Sequence, residues 1–187
     1  MSTLSIFINK TWDGQPVPEG DHIKMVLDLD NVALHLDVDA PYHGDPPPET
    51  PPGSMWELWN YEVVELFIAG AGQRYTEIEL GPHGHYLGLR LNGVRNIVQA
   101  DLPLACRTVI QGPKWHGTVS IPIEHLPPPP WKFNVTAMWG TGINRRYVSL
   151  FRLSGSKPDF HRLQDFGPLI LPADPYRTTA ADSFYVG

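Results

Sequence analysis

Apolar and polar positions alternate with a period of two along most of this chain. Residues 31–39 place Val32, Leu34, Leu36 and Val38 on one face and His35, Asp37 and Asp39 on the other. That spacing suits a half-buried antiparallel strand. Residues 22–29 pair with it, with Ile23, Met25, Leu27 and Leu29 facing in, and Asp30-Asn31 supplies the turn of a hairpin. Further strands are expected at 61–69, 74–80, 85–92, 105–111, 115–121, 132–139 and 145–152. Gly70-Ala-Gly72 and Gly81-Pro-His-Gly84 mark the turns between the first three of these.

Two stretches break the pattern. Residues 41–52 hold six prolines in twelve positions and read as an extended loop. Pro127–Pro130 is a second rigid connector, and a helical turn or two is expected only around Ser54–Trp59. From about residue 153 the pattern becomes irregular. About nine or ten short antiparallel strands in one domain spanning 1–187 indicate an all-β sandwich, with a barrel as the alternative.

The faces of strands 61–69, 74–80 and 85–92 carry the candidate chemistry. With Leu66, Ile78 and Leu89 facing the core, the opposite face presents Glu65, Glu77, Glu79, Arg90 and Asn92, joined by Tyr75 and Tyr86. Strand 115–121 could add His116, Thr118 and Ser120, and strand 132–139 Asn134 and Thr136. Neighbouring carboxylates repel unless a cation or hydrogen-bonding ligand offsets them. A polar face with aromatic members suits a polyhydroxylated ligand; an ordinary solvated sheet face is the plainer alternative.

Composition narrows the function classes. Pro (20) and Gly (17) are too frequent for a helical protein and ordinary for strands joined by turns. The net charge of −6, with no basic run longer than Arg145-Arg146, argues against nucleic acid as a partner. The single cysteine, Cys106, allows neither an intrachain disulfide nor a thiolate zinc site. No leader pattern and no apolar run long enough for a membrane span are visible, so the expected location is the cytoplasm. Nucleophile-elbow and phosphate-loop motifs are absent, and no catalytic set is assigned.

A metal-assisted hydrolase using His83, His85, Asp159 and His161 is the alternative function, because imidazoles with a carboxylate suit zinc or iron. No cofactor is required by the sequence, though calcium held by Asp13, Asp37, Asp39 or Asp45 as a structural ion is compatible with it. The rigid loop 41–52 also suits docking to a partner's aromatic groove.

Thr11–Gly14, Ala40–Tyr42, Asp45–Pro47, Leu58–Glu65, Glu79–Gly84, Phe133-Asn134 and Lys157–His161 run in order along the chain. Together they resemble an uncharacterised family, the chromosome 4 open reading frame 33 type, from about Phe7 to Phe166. More distantly, Glu62-Val-Val-Glu65-Leu-Phe67 and Tyr75–Glu79 resemble strands of the family 9 carbohydrate-binding modules and DOMON-like domains, which are β-sandwiches. That resemblance implies that Trp59 stacks on a sugar and Glu65 binds its hydroxyls. It also implies a second aromatic, for which Tyr147, Phe160 and Trp139 are candidates, and an arginine, Arg90 or Arg95. The expectation is therefore a non-catalytic binding domain for a small carbohydrate or similar polar ligand, contacted by Trp59, Glu65, Glu77, Arg90 and Asn92.

Overall fold

The computed structural model describes residues 2–171. In chain order its strands are β1 (Ser2–Ile8), β2 (Ile23–Leu29), β3 (Ala33–Pro41), β4 (Gly53–Ser54), β5 (Val63–Ala69), β6 (Arg74–Leu80) and β7 (His85–Asn92). There follow β8 (Ile97–Gln99), β9 (Ala105–Gln111), β10 (Lys114–Pro122), β11 (Lys132–Trp139), β12 (Arg146–Ser149) and β13 (Gly167–Pro168). They form two sheets. One has five strands in the order β1-β2-β3-β10-β9. The other has eight, with β12-β11-β5-β6-β7-β4 as its path, β13 beside β11 and β8 beside β7. The fold is an all-β sandwich, as the alternation predicts. Among the described residues every strand pairing is antiparallel except that of β4 with β7. Among the described residues no helix is long and apolar enough to cross a membrane.

The core between the sheets is built from one face of each strand. Leu27, Leu34, Leu36 and Val38 from the five-stranded sheet meet Leu66, Ile78, Leu80 and Val135 from the other. The β2–β3 hairpin is closed by Asp30, whose Oδ1 accepts the backbone N–H groups of Val32 (2.7 Å) and Ala33 (2.8 Å). This side-chain turn draws Val32 out of the strand and leaves it 69% exposed. Val32 is thus not a core residue, although its spacing placed it in the inward row. β1 supplies Ile6 and Ile8 to the core while Phe7 points out. It is a strand that the alternation of residues 2–8 shows in retrospect.

The central strands of the eight-stranded sheet are buried on both faces. All seven residues of β5 are buried. On its outward side Leu58, Val63, Phe67, Tyr75, Leu87, Leu89 and Leu91 form a second apolar cluster with Leu153, Phe160 and Phe166. The irregular chain after residue 153 therefore acts as a lid on this face. It contains one 3-10 turn (Leu163–Asp165) and β13; the expected irregular segment continues into residues 172–187, which lie outside the described residues.

Register decides which side chains share that face. Glu77 is opposite Leu89 and Ile78 is opposite Gly88, so Gly88, not Leu89, faces the sandwich core. A Cβ on Gly88 would come within 2.8 Å of Leu102 Cβ and 3.0 Å of Leu104 Cδ1. These two leucines fill the space above the glycine. The proline-rich loop is stitched to the body at several points: His43 N–H donates to the Glu62 carboxylate (3.0 Å), Gly140 N–H donates to Asp45 Oδ2 (2.6 Å), and Tyr42 N–H donates to Pro113 O (2.9 Å).

The close approach at Gly88 makes a stability prediction. Gly88→Ala overpacks the core and lowers the unfolding free energy by about 1–3 kcal/mol, read from urea denaturation. Gly20→Ala, whose Cβ would meet nothing within 4 Å, stays within about 0.5 kcal/mol of the parent. Equal stability of the two variants would refute the packing described here.

Candidate functional site

On the outward face of the eight-stranded sheet the covering segments leave a cavity of about 760 Å³. Glu65 of β5 and Glu77 of β6 lie in its lining, among the apolar side chains of Leu89, Leu91 and Met138. Trp56 and Trp59 border it with rings edge-to-face, 5.1 Å apart at 79°. Tyr147 and Phe160 also border it as a second edge-to-face pair, 6.1 Å apart. Arg95, Asp159 and His161 add polar groups.

Trp59 is carried by a 3-10 turn, Leu58–Asn60, entered through Glu57 in the left-handed region (φ 64°) and anchored by the fully buried Leu58. Arg145 holds this turn in place. Its guanidinium donates to the carbonyls of Trp59 (2.6 Å), Tyr61 (2.9 Å), Asn60 (3.0 Å) and Gly140 (2.9 Å). One side chain thus ties the tryptophan turn to the loop before β12.

The carboxylates are crowded by register. Glu65 stands directly opposite Thr136 on β11 and Glu79 on β6, and Glu77 follows two residues before Glu79 on the same row. Glu65, Glu77 and Glu79 are 2%, 3% and 0% exposed. Burial pushes the Glu65 carboxyl up to about 7, against the opposing effects of the Thr136 hydroxyl (2.8 Å from Oε2) and the Arg145 charge. Burial, and then the neighbouring Glu65 charge, holds Glu77 and Glu79 well above the ordinary carboxylate range. Both oxygens of Glu79 and Oε2 of Glu77 lack a hydrogen-bond partner, although the Trp59 backbone lies close enough to Glu79 to favour its charged form.

A second polar group adjoins them. Tyr75 OH accepts the Arg95 backbone N–H (2.9 Å) and lies 2.7 Å from His161 Nδ1. The direction of the Tyr75–His161 bond follows the tautomer of the imidazole, since the phenol oxygen both donates and accepts. Burial, reinforced by the Arg95 charge, lowers His161 to about 4, so the ring is neutral at physiological pH. Asp159 bridges Arg95 (2.6 Å) and Arg162 (3.3 Å). Burial alone would raise its carboxyl, but these arginines and the His161 N–H outweigh it and hold it below the usual range.

The structure brings Trp59, Glu65 and Glu77 to one cavity and separates Arg90 and Asn92 from it. Arg90 lies opposite Thr76 and bonds Gln99 Oε1 (3.1 Å) on the other face; Asn92 is exposed, opposite Arg74. The error follows from the one-residue difference between Leu89 and Gly88 as the inward position, since such a slip exchanges the two faces of a strand. Of the alternatives for the arginine and the second aromatic, Arg95, Tyr147 and Phe160 line the cavity. Trp139 instead stacks on His43 (4.1 Å, 9°) and packs in the sandwich core. Thr136 and Asn134 lie on the carboxylate face, where Asn134 bonds Ser149 (2.9 Å). His116, Thr118 and Ser120 belong to the other sheet, opposite Asp39, Asp37 and His35.

His83, His85, Asp159 and His161 do not converge. The first two border a separate pocket of about 10 Å³, where His85 Nε2 contacts Thr50 O (2.9 Å), while the last two line the large cavity. The alternative metal set is corrected accordingly: His83 lies in the turn before β7 and His85 begins that strand, while Asp159 and His161 belong to the lid, and the two pairs border different pockets. The aspartates considered for calcium are dispersed as well. Asp13 bonds Thr11, Asp39 bonds Lys114 and Asp45 bonds the Gly140 N–H; Asp37 lies opposite Val26 and Thr118. Arg145 was not anticipated, because a single arginine beside a second one carries no local signal of its carbonyl partners.

No protein-family model matches the chain. In overall architecture it is similar to a protein from Bacteroides uniformis provisionally described as carbohydrate-binding, with a TM-score of 0.69, 13% identity and coverage of 88% of this chain and 84% of that one. A family 9 carbohydrate-binding module from Caldicellulosiruptor kristjanssonii in complex with cellotriose aligns at a TM-score of 0.44 and 16% identity, over 77% of this chain and 72% of that one. In sequence it is 40% identical over 170 residues to the mouse UPF0462 protein C4orf33 homolog, covering 86% of this chain and 88% of that protein. The human UPF0462 protein C4orf33 is 39% identical over 168 residues, covering 85% and 84%. With identities of this size along most of its length, the chain belongs to the UPF0462 (C4orf33) family.

Proposed function

We propose that the cavity binds a small carbohydrate or a similarly hydroxyl-rich ligand without transforming it. The observation that carries this reading is the meeting of two aromatic pairs, Trp56–Trp59 and Tyr147–Phe160, with buried carboxyl groups in one cavity. A sugar ring offers an apolar face of C–H groups and an edge of hydroxyls. An indole ring gives the first a flat, rigid surface at low entropic cost. Carboxyl groups, the Arg95 guanidinium and the His161 imidazole supply donors and acceptors for the second. The fold shared with the Bacteroides uniformis protein agrees with a binding role.

Within this reading Glu65 and Glu77 differ from ordinary surface carboxylates. A carboxyl kept neutral by burial donates a hydrogen bond as well as accepting one, so a hydroxyl can be bound in either sense. Arg145 also lines the cavity and contributes by holding Trp59, its two terminal guanidinium nitrogens being engaged by main-chain carbonyls.

Two predictions test these points. Titration of intrinsic tryptophan fluorescence with a panel of mono- and disaccharides should give a saturable change with one sugar class. Trp59→Ala should then weaken that association about 30-fold or more, the scale of a central aromatic contact, with an unchanged far-ultraviolet spectrum, whereas Arg90→Ala leaves it intact. Undiminished affinity in Trp59→Ala would remove the stacking role. The second concerns pH. The folded-state carboxyl of Glu65 titrates near 7, above its unfolded value near 4.3, so the folded state holds the extra proton in between. Its burial therefore costs nothing below the unfolded value, and the cost grows as pH rises through neutrality. In metal-free buffer Glu65→Gln should remove a loss of stability on the order of 3 kcal/mol between pH 4 and pH 8, measured by urea unfolding. An unaltered pH profile in that variant would show that Glu65 is not the titrating group.

A further inference from the structure

We propose that Glu65, Glu77 and Glu79 form a binding site for a divalent cation of the hard, oxygen-seeking class, calcium foremost, at the inner end of the cavity. Each carboxylate offers an oxygen, and the three oxygens lie within 4.8 Å of one another. Calcium binds oxygen at roughly 2.3–2.6 Å, so oxygens of one coordination shell are at most about 5 Å apart. The three side chains therefore already stand within the span of a single shell. An all-carboxylate set selects calcium, magnesium or manganese over softer metals. Its width and its three carboxylates favour calcium, because magnesium demands a tighter octahedron and usually takes one or two carboxylates from a protein.

The independent observation is the orphaned state of Glu79. It is completely buried, its two oxygens lack hydrogen-bond partners, and one of them falls inside the group formed by the two cavity-lining glutamates. Glu77 Oε2 likewise has no hydrogen-bond partner and faces only His161 Nδ1 at 4.0 Å, a ring that burial keeps neutral. Buried polar atoms in folded proteins are nearly always paired, and three adjacent buried carboxylates are doubly disfavoured by desolvation and mutual repulsion. The nearby cations do not resolve this. Arg145 is spent on four carbonyls and Arg95 on Asp159, and neither hydrogen-bonds a member of the group. Their positive charges instead offset the single excess negative charge that three carboxylates leave around a divalent ion.

Glu65 and Glu77 line the cavity, so an ion enters through its mouth and completes its coordination there with water or with oxygens of a bound ligand. The competing state is a set of carboxyl groups that merely hold protons. Metal binding would displace those protons, which makes the two states experimentally distinct. The site shares Glu65 and Glu77 with the carbohydrate reading, but its test uses no sugar, so the failure of one is distinguishable from the failure of the other.

The experiment is calorimetric titration of chelator-treated protein with calcium chloride at mildly alkaline pH, paired with terbium luminescence sensitised by the cavity tryptophans. The expected result is one saturable site per chain, proton release on binding and a raised thermal midpoint. Glu79→Gln and Glu77→Gln should each lose saturable binding. An amide has the shape of the neutral acid these positions otherwise hold, so folding should survive in at least one of them. Asp37→Asn, on the other sheet, should bind as the parent does. Absence of saturable binding to the parent protein, or binding retained by natively folded Glu77→Gln or Glu79→Gln, would overturn the site and leave a proton-holding cluster only.

Discussion

The rest of the structure depends on the burial of β5 from both sides. A strand whose seven residues are all buried forms one wall of the sandwich core with Val64, Leu66 and Ile68, and so its other row needs a cover as well. Val63 and Phe67 obtain it from the tryptophan turn and from the lid that contributes Leu153, Phe160 and Phe166. The cover is assembled from loops, not from a third sheet. Loops cross a face without matching its contour everywhere, and the mismatch is the cavity. The site is a by-product of how the outer row of β5 is kept from water.

That origin explains the chemistry. A sheet face open to solvent would tolerate Glu65, Glu77 and Glu79 as hydrated anions. Beneath a lid they lose hydration, and each makes ionisation of the next more costly. The cavity thus concentrates charge that is not fully compensated by neighbouring side chains, beside aromatic rings that offer flat apolar surface. An open face would have one property or the other; the covered face has both within reach of one small ligand.

Strand positions were legible because alternation and turn residues are local. β6, β7, β9 and β11 match the expected boundaries 74–80, 85–92, 105–111 and 132–139. The choice of face was less legible, for a physical reason. When both faces are covered, both rows become apolar, and Leu87, Leu89 and Leu91 look like core residues although they sit beside the glutamates. The true inward position, Gly88, has no side chain and so no hydrophobic signal; Leu102 and Leu104 fill the space over it from a segment with no strand pattern. Arg90 and Asn92 were carried to the wrong face by that single slip. Glu65 was legible from the alternation of its strand and Trp59 from its place just before that strand, and both also from the likeness of their local motif to carbohydrate-binding strands. Arg145 was not legible at all, because its partners are main-chain carbonyls that every residue type possesses.

A frame held by side-chain pairs changes whenever either partner mutates. Arg145 grips oxygens of Trp59, Asn60, Tyr61 and Gly140 that are present whatever side chains those positions carry. The rim of the cavity can therefore exchange its side chains, and with them its surface chemistry, while the path of the chain around it is kept. In this molecule the side chains that border the cavity are mechanically uncoupled from the contacts that fix its shape.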